Sequence, residues 1–93
     1  MTGKQRRFLR AMGHALKPVL QIGQEGVSDA VVKQAGEQLE AHELIKVKIA
    51  EPNDRHEAAE LLAQKSGADV AQVLGRTALL YRARKEKPEI KLP

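Results

Sequence analysis

The sequence contains no cysteine and no tryptophan, and only one phenylalanine and one tyrosine among its 93 residues. Without cysteine there is no disulfide and no thiolate metal site, a usage that fits a reducing cytoplasm. With Phe8 and Tyr81 as the only phenyl rings, an aromatic platform for stacking nucleobases cannot be built. A long apolar run is also missing. The amino terminus, MTGKQRRFLRAMGHALKP, is broken by charge every few residues, so neither a secretory segment nor a membrane span is expected. It is basic and amphipathic enough to raise a membrane-surface or transit-peptide reading, but it runs into the next element without a cleavage-like linker, which disfavours that reading. The expectation is a cytoplasmic protein that does not engage a membrane. A chain of this length forms one domain with a single core of about two layers, too small for a deep enclosed pocket or large catalytic machinery.

The net charge of +4 is unevenly distributed. Residues 1–20 hold Lys4, Arg6, Arg7, Arg10 and Lys17 with no acid, a sum of +5, and residues 69–93 sum to +3. Residues 21–68 sum to −4. Two basic ends around an acidic middle suggest a polyanion partner if the ends meet in space. The same pattern also describes an ordinary solvated surface.

Periodicity predicts a regular alternation of elements. Phe8, Leu9, Met12 and Leu16 form an apolar stripe on a helix over 3–16, with Phe8 expected in the core and the helix ending at or before Pro18. PVLQI, residues 18–22, reads as a short strand. Gly23 and Gly26 follow, and Ser28 is placed to cap a second helix reaching about His42, with Val27 and Val32 as a hydrophobic staple and Val31, Val32, Ala35 and Leu39 facing the core. ELIKVKIA, residues 43–50, alternates with Ile45, Val47 and Ile49 on one face and Leu44, Lys46 and Lys48 on the other, a strand buried on one side. A third helix over 54–66 presents Ala58, Leu61, Leu62 and Lys65 as its amphipathic pattern, and Ser66-Gly67 ends it. DVAQVLGRTALLYR reads as a hairpin turning through Gly75-Arg76 in a type II′ turn. The closing ARKEKPEIKLP is mostly polar, and a domain over 1–85 with a tail at 86–93 is expected. The fold class is α/β, in the order α-β-α-β-α-β-β, with a mixed four-stranded sheet packed by helices.

Catalytic patterns fail at identifiable positions. HELIK, residues 42–46, opens like a zinc-binding H-E-x-x-H but has Lys46 where the second histidine is required. His14, His42 and His56 fall on three different elements and are expected at helix ends or surfaces. No phosphate-binding G-x-x-x-x-G-K-[ST] run occurs, and Ser28 and Ser66 have simpler roles at helix ends. No enzyme, metal, cofactor or small-molecule substrate is expected, so binding outranks catalysis.

The candidate binding element is Gly23-Gln24-Glu25-Gly26. Two glycines permit positive φ and remove side-chain bulk, and the helix that follows offers unpaired N–H groups to an anion. KH domains use a GXXG loop in this way to clamp a nucleic-acid backbone. A plain turn has the same signature.

Taken together, LKPVLQIGQEGVSDAV, LEAHELIKVKIA, SGADVAQVLGRTALLYR and the closing IKLP resemble the CRM (chloroplast RNA splicing and ribosome maturation) domain in its bacterial single-domain YhbY form. The resemblance covers nearly the whole chain. It implies a fold similar to the C-terminal domain of translation initiation factor three, and RNA binding centred on the glycine loop. Bacterial members look like assembly factors for the large ribosomal subunit, and plant relatives build group II intron splicing factors. The loop glycines carry over onto Gly23 and Gly26, and the basic first helix onto Lys4, Arg6, Arg7 and Arg10. Gln24 and Glu25 fill the loop, and Glu25, with Asp29 nearby, sits uneasily with phosphate. Lys17, Lys46, Lys48, Arg76 and Arg82 extend the candidate RNA surface, and Tyr81 is placed where it could touch a base. The resulting expectation is a monomeric RNA-binding protein acting on ribosomal RNA in large-subunit precursors. The alternative is a protein-interaction module docking on a ribosomal protein through the basic helix.

Overall fold

A computed structural model describes all residues, 1–93. The elements run α1 (Gly3–Gly13), β1 (Pro18–Ile22), α2 (Asp29–His42), β2 (Leu44–Ile49), α3 (Arg55–Ser66), β3 (Asp69–Leu74) and β4 (Thr77–Tyr81). The four strands form one mixed sheet in the order β1-β2-β4-β3. β1 lies parallel to β2, with α2 as the crossover between them, while β4 runs antiparallel to both β2 and β3. The expected α/β order and mixed four-stranded sheet are therefore the architecture found.

Local chemistry sets the element ends. Ser28 Oγ accepts the Val31 N–H at 3.2 Å and starts α2. Asp54 caps α3 by accepting the Glu57 N–H at 2.9 Å, a bond that holds its carboxyl pKa below the ordinary value. Thr2 and Gln5 form a reciprocal capping box on α1. At the hairpin, Gly75 has φ +56° while Arg76 stays at negative φ, and Leu74 faces Thr77, as a type II′ turn requires.

The sheet is covered on both faces. α2 and α3 bury Ala35, Leu39, Ala58, Ala59, Leu62 and Ala63 against Ile22, Ile45, Val47, Ile49, Ala78 and Leu80. On the other face Leu9 of α1 packs with Leu44, Ala71, Leu79 and Tyr81, so β2 is buried on both sides at its first residues rather than on one. Gly13 lets α1 approach that closely: a Cβ there would stand 2.5 Å from a Leu79 methyl.

Four core assignments differ from the sequence pattern. Phe8 is 38% exposed, and Met12 and Leu16 are similarly open, because α1 touches the sheet along the Leu9–Gly13 line only, and Phe8 and Met12 lie one step round the helix from it. Leu16 falls beyond the helix, which stops at Gly13. In α3, Leu61 is exposed while Ala59 and Ala63 point inward. Small residues suit α3 because it lies close against both α2 and the sheet.

The carboxy-terminal segment forms neither helix nor strand, yet it packs. Ile90 and Leu92 rest on the Leu9 cluster. Glu43, expected in a strand, instead caps α2 with φ +65° and is buried at 1% exposure. Its Oε1 accepts the Glu89 and Ile90 N–H groups at 2.7 and 3.0 Å, and its Oε2 accepts that of Arg84 at 3.0 Å. Burial pushes the Glu43 pKa up, but these three bonds and the Arg84 charge outweigh it and hold the carboxyl below its ordinary value. A non-glycine residue at positive φ persists where its surroundings over-determine it, and here a carboxylate with three donors does so.

Candidate nucleic-acid interface

The loop between β1 and α2 is a tight turn. Gly26 N–H donates to Gly23 O at 3.0 Å, and Gln24 and Glu25 both keep negative φ, which fits a type I turn. Gly26 has φ +85°, the conformation that requires glycine. The N–H groups of Gln24 and Glu25 have no acceptor within the chain, and both residues are exposed. Two backbone donors are therefore open to an anion just ahead of the α2 N-terminus.

Glu25 folds back on the loop. Its carboxylate oxygens lie 3.3 and 3.4 Å from the position of a Cβ on Gly23, so the acid stays over the loop rather than turning away. Beyond Gly26, a cleft of about 350 Å³ towards α3 is lined by Glu25, Asp54 and Glu57 as well as Asn53. The opposite flank is basic: Lys48, exposed on β2, is in register with Gln21, two residues before Gly23. The loop therefore has carboxylates on its α3 side and a cation towards the sheet, a field that would repel a polyanion from the first and attract it to the second.

Lys46 continues along β2 from Lys48, opposite Pro18 at the far end of β1. There it lines a groove of about 470 Å³ with Lys17, Met12, Leu16, Val19 and Leu44. Lys4, Arg6, Arg7 and Arg10 are exposed on α1, which covers this same face of the sheet. The fold thus brings Lys17, Lys46 and Lys48 onto the α1 side of the sheet, with the loop at the end of β1.

Two expected arginines are engaged elsewhere. Arg82 donates to Ser66 O at 2.7 Å and Gly36 O at 3.0 Å and pairs with Glu40, tying the end of β4 to α2 and α3. Arg76 donates through Nε to Ile49 O at 2.9 Å and through Nη2 to Asn53 O at 2.8 Å. Tyr81 is buried at 7% exposure in the Leu9 cluster, so it is not placed to touch a base. Burial raises its phenol pKa, with the charges of Glu43 and Asp69 adding to the effect. His14, His42 and His56 are exposed on separate segments, at or beside the ends of α1, α2 and α3.

Asn53 is the loop residue that sequence reading missed. Its Nδ2 donates to both Gly23 O and Ala50 O at 2.7 Å, and its Oδ1 lies 3.4 Å from where a Gly26 Cβ would stand. In the sequence it lies in the polar stretch EPNDR just ahead of the third helix, and nothing local ties it to a loop 30 residues earlier.

The family model for the CRS1 / YhbY (CRM) domain matches residues 1–82. The chain belongs to the CRM family. Among curated relatives of this CRM domain, the "Probable RNA-binding protein YqeI" of Bacillus subtilis is 44% identical, the match covering 100% of this chain and 99% of that protein. An "RNA-binding protein" of Haemophilus influenzae is 32% identical over 100% of this chain and 95% of its own. The solution structure of a Staphylococcus aureus protein superposes with a TM-score of 0.88 at 41% identity, covering 100% of this chain and 99% of that one. No helix of this CRM domain is long and apolar enough to cross a membrane.

Proposed function

We propose that this CRM domain binds RNA, and specifically ribosomal RNA in cytoplasmic precursors of the large ribosomal subunit, acting there as an assembly factor. The observation that carries the reading is the exposed turn at Gly23–Gly26, whose two unpartnered N–H groups follow directly on β1, where Gln21 is in register with the exposed Lys48. Phosphates seated on the loop would continue over Lys48 and Lys46 towards Lys17. That path follows β1, about 16 Å of strand and so about three nucleotides. With Tyr81 buried and Phe8 unaccompanied by a second ring, recognition rests on backbone and shape rather than base stacking.

The test is a salt titration of binding to purified large-subunit ribosomal RNA, with the Gly23→Asp/Gly26→Asp variant as control. A steep log–log slope that the loop variant flattens is expected. A folded double variant with unchanged affinity would remove the loop from the reading. The exposure of Phe8 and Met12 on α1 favours a second reading, docking on a ribosomal protein through that helix, for which the salt slope would be shallow.

A further inference from the structure

We infer that Asn53 and Arg76 are positioning residues for the RNA-binding loop: through Gly23 O they aim the Gln24 N–H out of the protein, towards a phosphate. The inference rests on the loop reading above. It starts from one peptide unit. Gly23 O and the Gln24 N–H belong to the same trans peptide and point in opposite directions. Gly23 O is held inward by two donors, Gly26 N–H at 3.0 Å and Asn53 Nδ2 at 2.7 Å. The Gln24 N–H must then face outward, and it has no acceptor in the chain.

Asn53 is itself fixed at both ends. The second hydrogen of its Nδ2 goes to Ala50 O at 2.7 Å, so one amide group joins the end of β1 to the end of β2. The Asn53 backbone carbonyl is taken by Arg76 Nη2 at 2.8 Å while Arg76 Nε holds Ile49 O at 2.9 Å, spanning the segment from 49 to 53. The Ile49 N–H returns a bond to Arg76 O at 2.8 Å, and the Ala50 N–H donates to Ile22 O at 2.9 Å. The hairpin tip, the segment after β2 and the glycine loop therefore form one bonded bracket. A guanidinium suits this place because its planar fork spans two carbonyls, which an ammonium cannot match. On this account Arg76 acts through the loop rather than as a phosphate contact.

The experiment measures binding of the full chain to a labelled 12-nucleotide single-stranded RNA by fluorescence anisotropy, with a thermal melt of each variant to confirm folding. Asn53→Ala removes the Nδ2 donors without changing charge. Gln24→Pro deletes the outward N–H at a turn position that favours proline, and is read against Gln24→Ala, which loses the same side-chain amide but keeps the N–H. Asn53→Ala and Gln24→Pro are each expected to weaken binding about tenfold, the loss of one charge-assisted bond. The double variant should bind no worse than either single one, because both act on the same donor. Arg76→Lys, which keeps the charge and loses the fork, should weaken binding like Asn53→Ala, and it loosens the bracket by a second route if Asn53→Ala does not fold. Losses that add in the double variant, or a folded Asn53→Ala with wild-type affinity beside a weakened Gln24→Pro, would overturn the bracket and leave the loop reading intact. Wild-type affinity in Arg76→Lys would overturn the positioning role of Arg76 in favour of a direct contact. If Gln24→Pro and Gly23→Asp/Gly26→Asp both bind as wild type, the loop reading fails and the inference with it.

Discussion

Replacing Glu25 with lysine tests the proposed contact between the loop and phosphate. The Glu25 carboxylate lies over Gly23, 3.3 Å from the place a Cβ would take, on the residue preceding the outward Gln24 N–H. A phosphate accepting from that N–H would stand about 6 Å from the carboxylate, where two like charges in water repel by about 0.7 kcal/mol. Glu25→Lys exchanges repulsion for attraction, about 1.4 kcal/mol in all, so RNA should bind about tenfold more tightly before screening. Ions limit the reach of this interaction to about 14 Å at 0.05 M and about 4 Å at 0.5 M, so the unscreened tenfold becomes a gain of about fivefold at 0.05 M and about twofold at 0.5 M. Glu25 precedes the Ser28 cap, and losing its interaction with the α2 dipole costs only a few tenths of a kcal/mol, too little for instability to mask the result. Anisotropy titrations of wild type and variant at the two salt concentrations are the assay. A gain at 0.05 M salt that is undiminished at 0.5 M would refute the electrostatic argument, and weaker binding by the folded variant would show that the carboxylate makes a favourable contact of its own.

Changing Arg6, Arg7 and Arg10 to glutamine should weaken binding to unrelated RNA sequences alike and lower the salt slope, because phosphate contacts carry no sequence information; an unchanged slope would make this α1 face a solvated one. Glu43→Gln keeps one acceptor but sets an amide against a backbone N–H, and should cost about 2 kcal/mol in urea unfolding while speeding hydrogen exchange at Arg84, Glu89 and Ile90. Because the Glu43 pKa is lowered from 4.5, its contribution to stability is fully present above about that pH and disappears as pH falls through the lower folded value, so the variant should flatten the acid limb of a stability–pH curve. Gly13→Ala drives a methyl to within 2.5 Å of Leu79 and should lower the melting temperature. The overpacking of about 1–3 kcal/mol, less the helix preference for alanine, leaves a drop of about 5–10 °C, and an unchanged melt would show that α1 can lift off the sheet at no cost.

Sequence alone determined what depends on neighbours along the chain. The alternation in β2, the Ser28 cap, the Gly75-Arg76 turn and the glycine pair are all local signals, since side-chain period and cap chemistry are fixed within a few residues. The loop could therefore be found and its glycines named. Tertiary structure decided what depends on which surfaces meet. Register placed Lys48 beside Gln21, two residues before the loop, the groove brought Lys46 to Lys17, and a single line of contact left Phe8 in solvent while it buried Leu9. The α3 run HEAAELLAQKS holds apolar residues on more than one face, so only packing against α2 and the sheet could select Ala59 and Ala63 over Leu61. Buried polar groups show the same division most sharply. A backbone carbonyl or N–H left over by a fold must find a partner, and that partner is whichever side chain the topology brings within 3 Å. Glu43 for the carboxy-terminal N–H groups, Arg82 for Ser66 and Gly36, and Asn53 with Arg76 for the glycine loop were each selected by contacts across 16 to 47 residues, which no local pattern encodes.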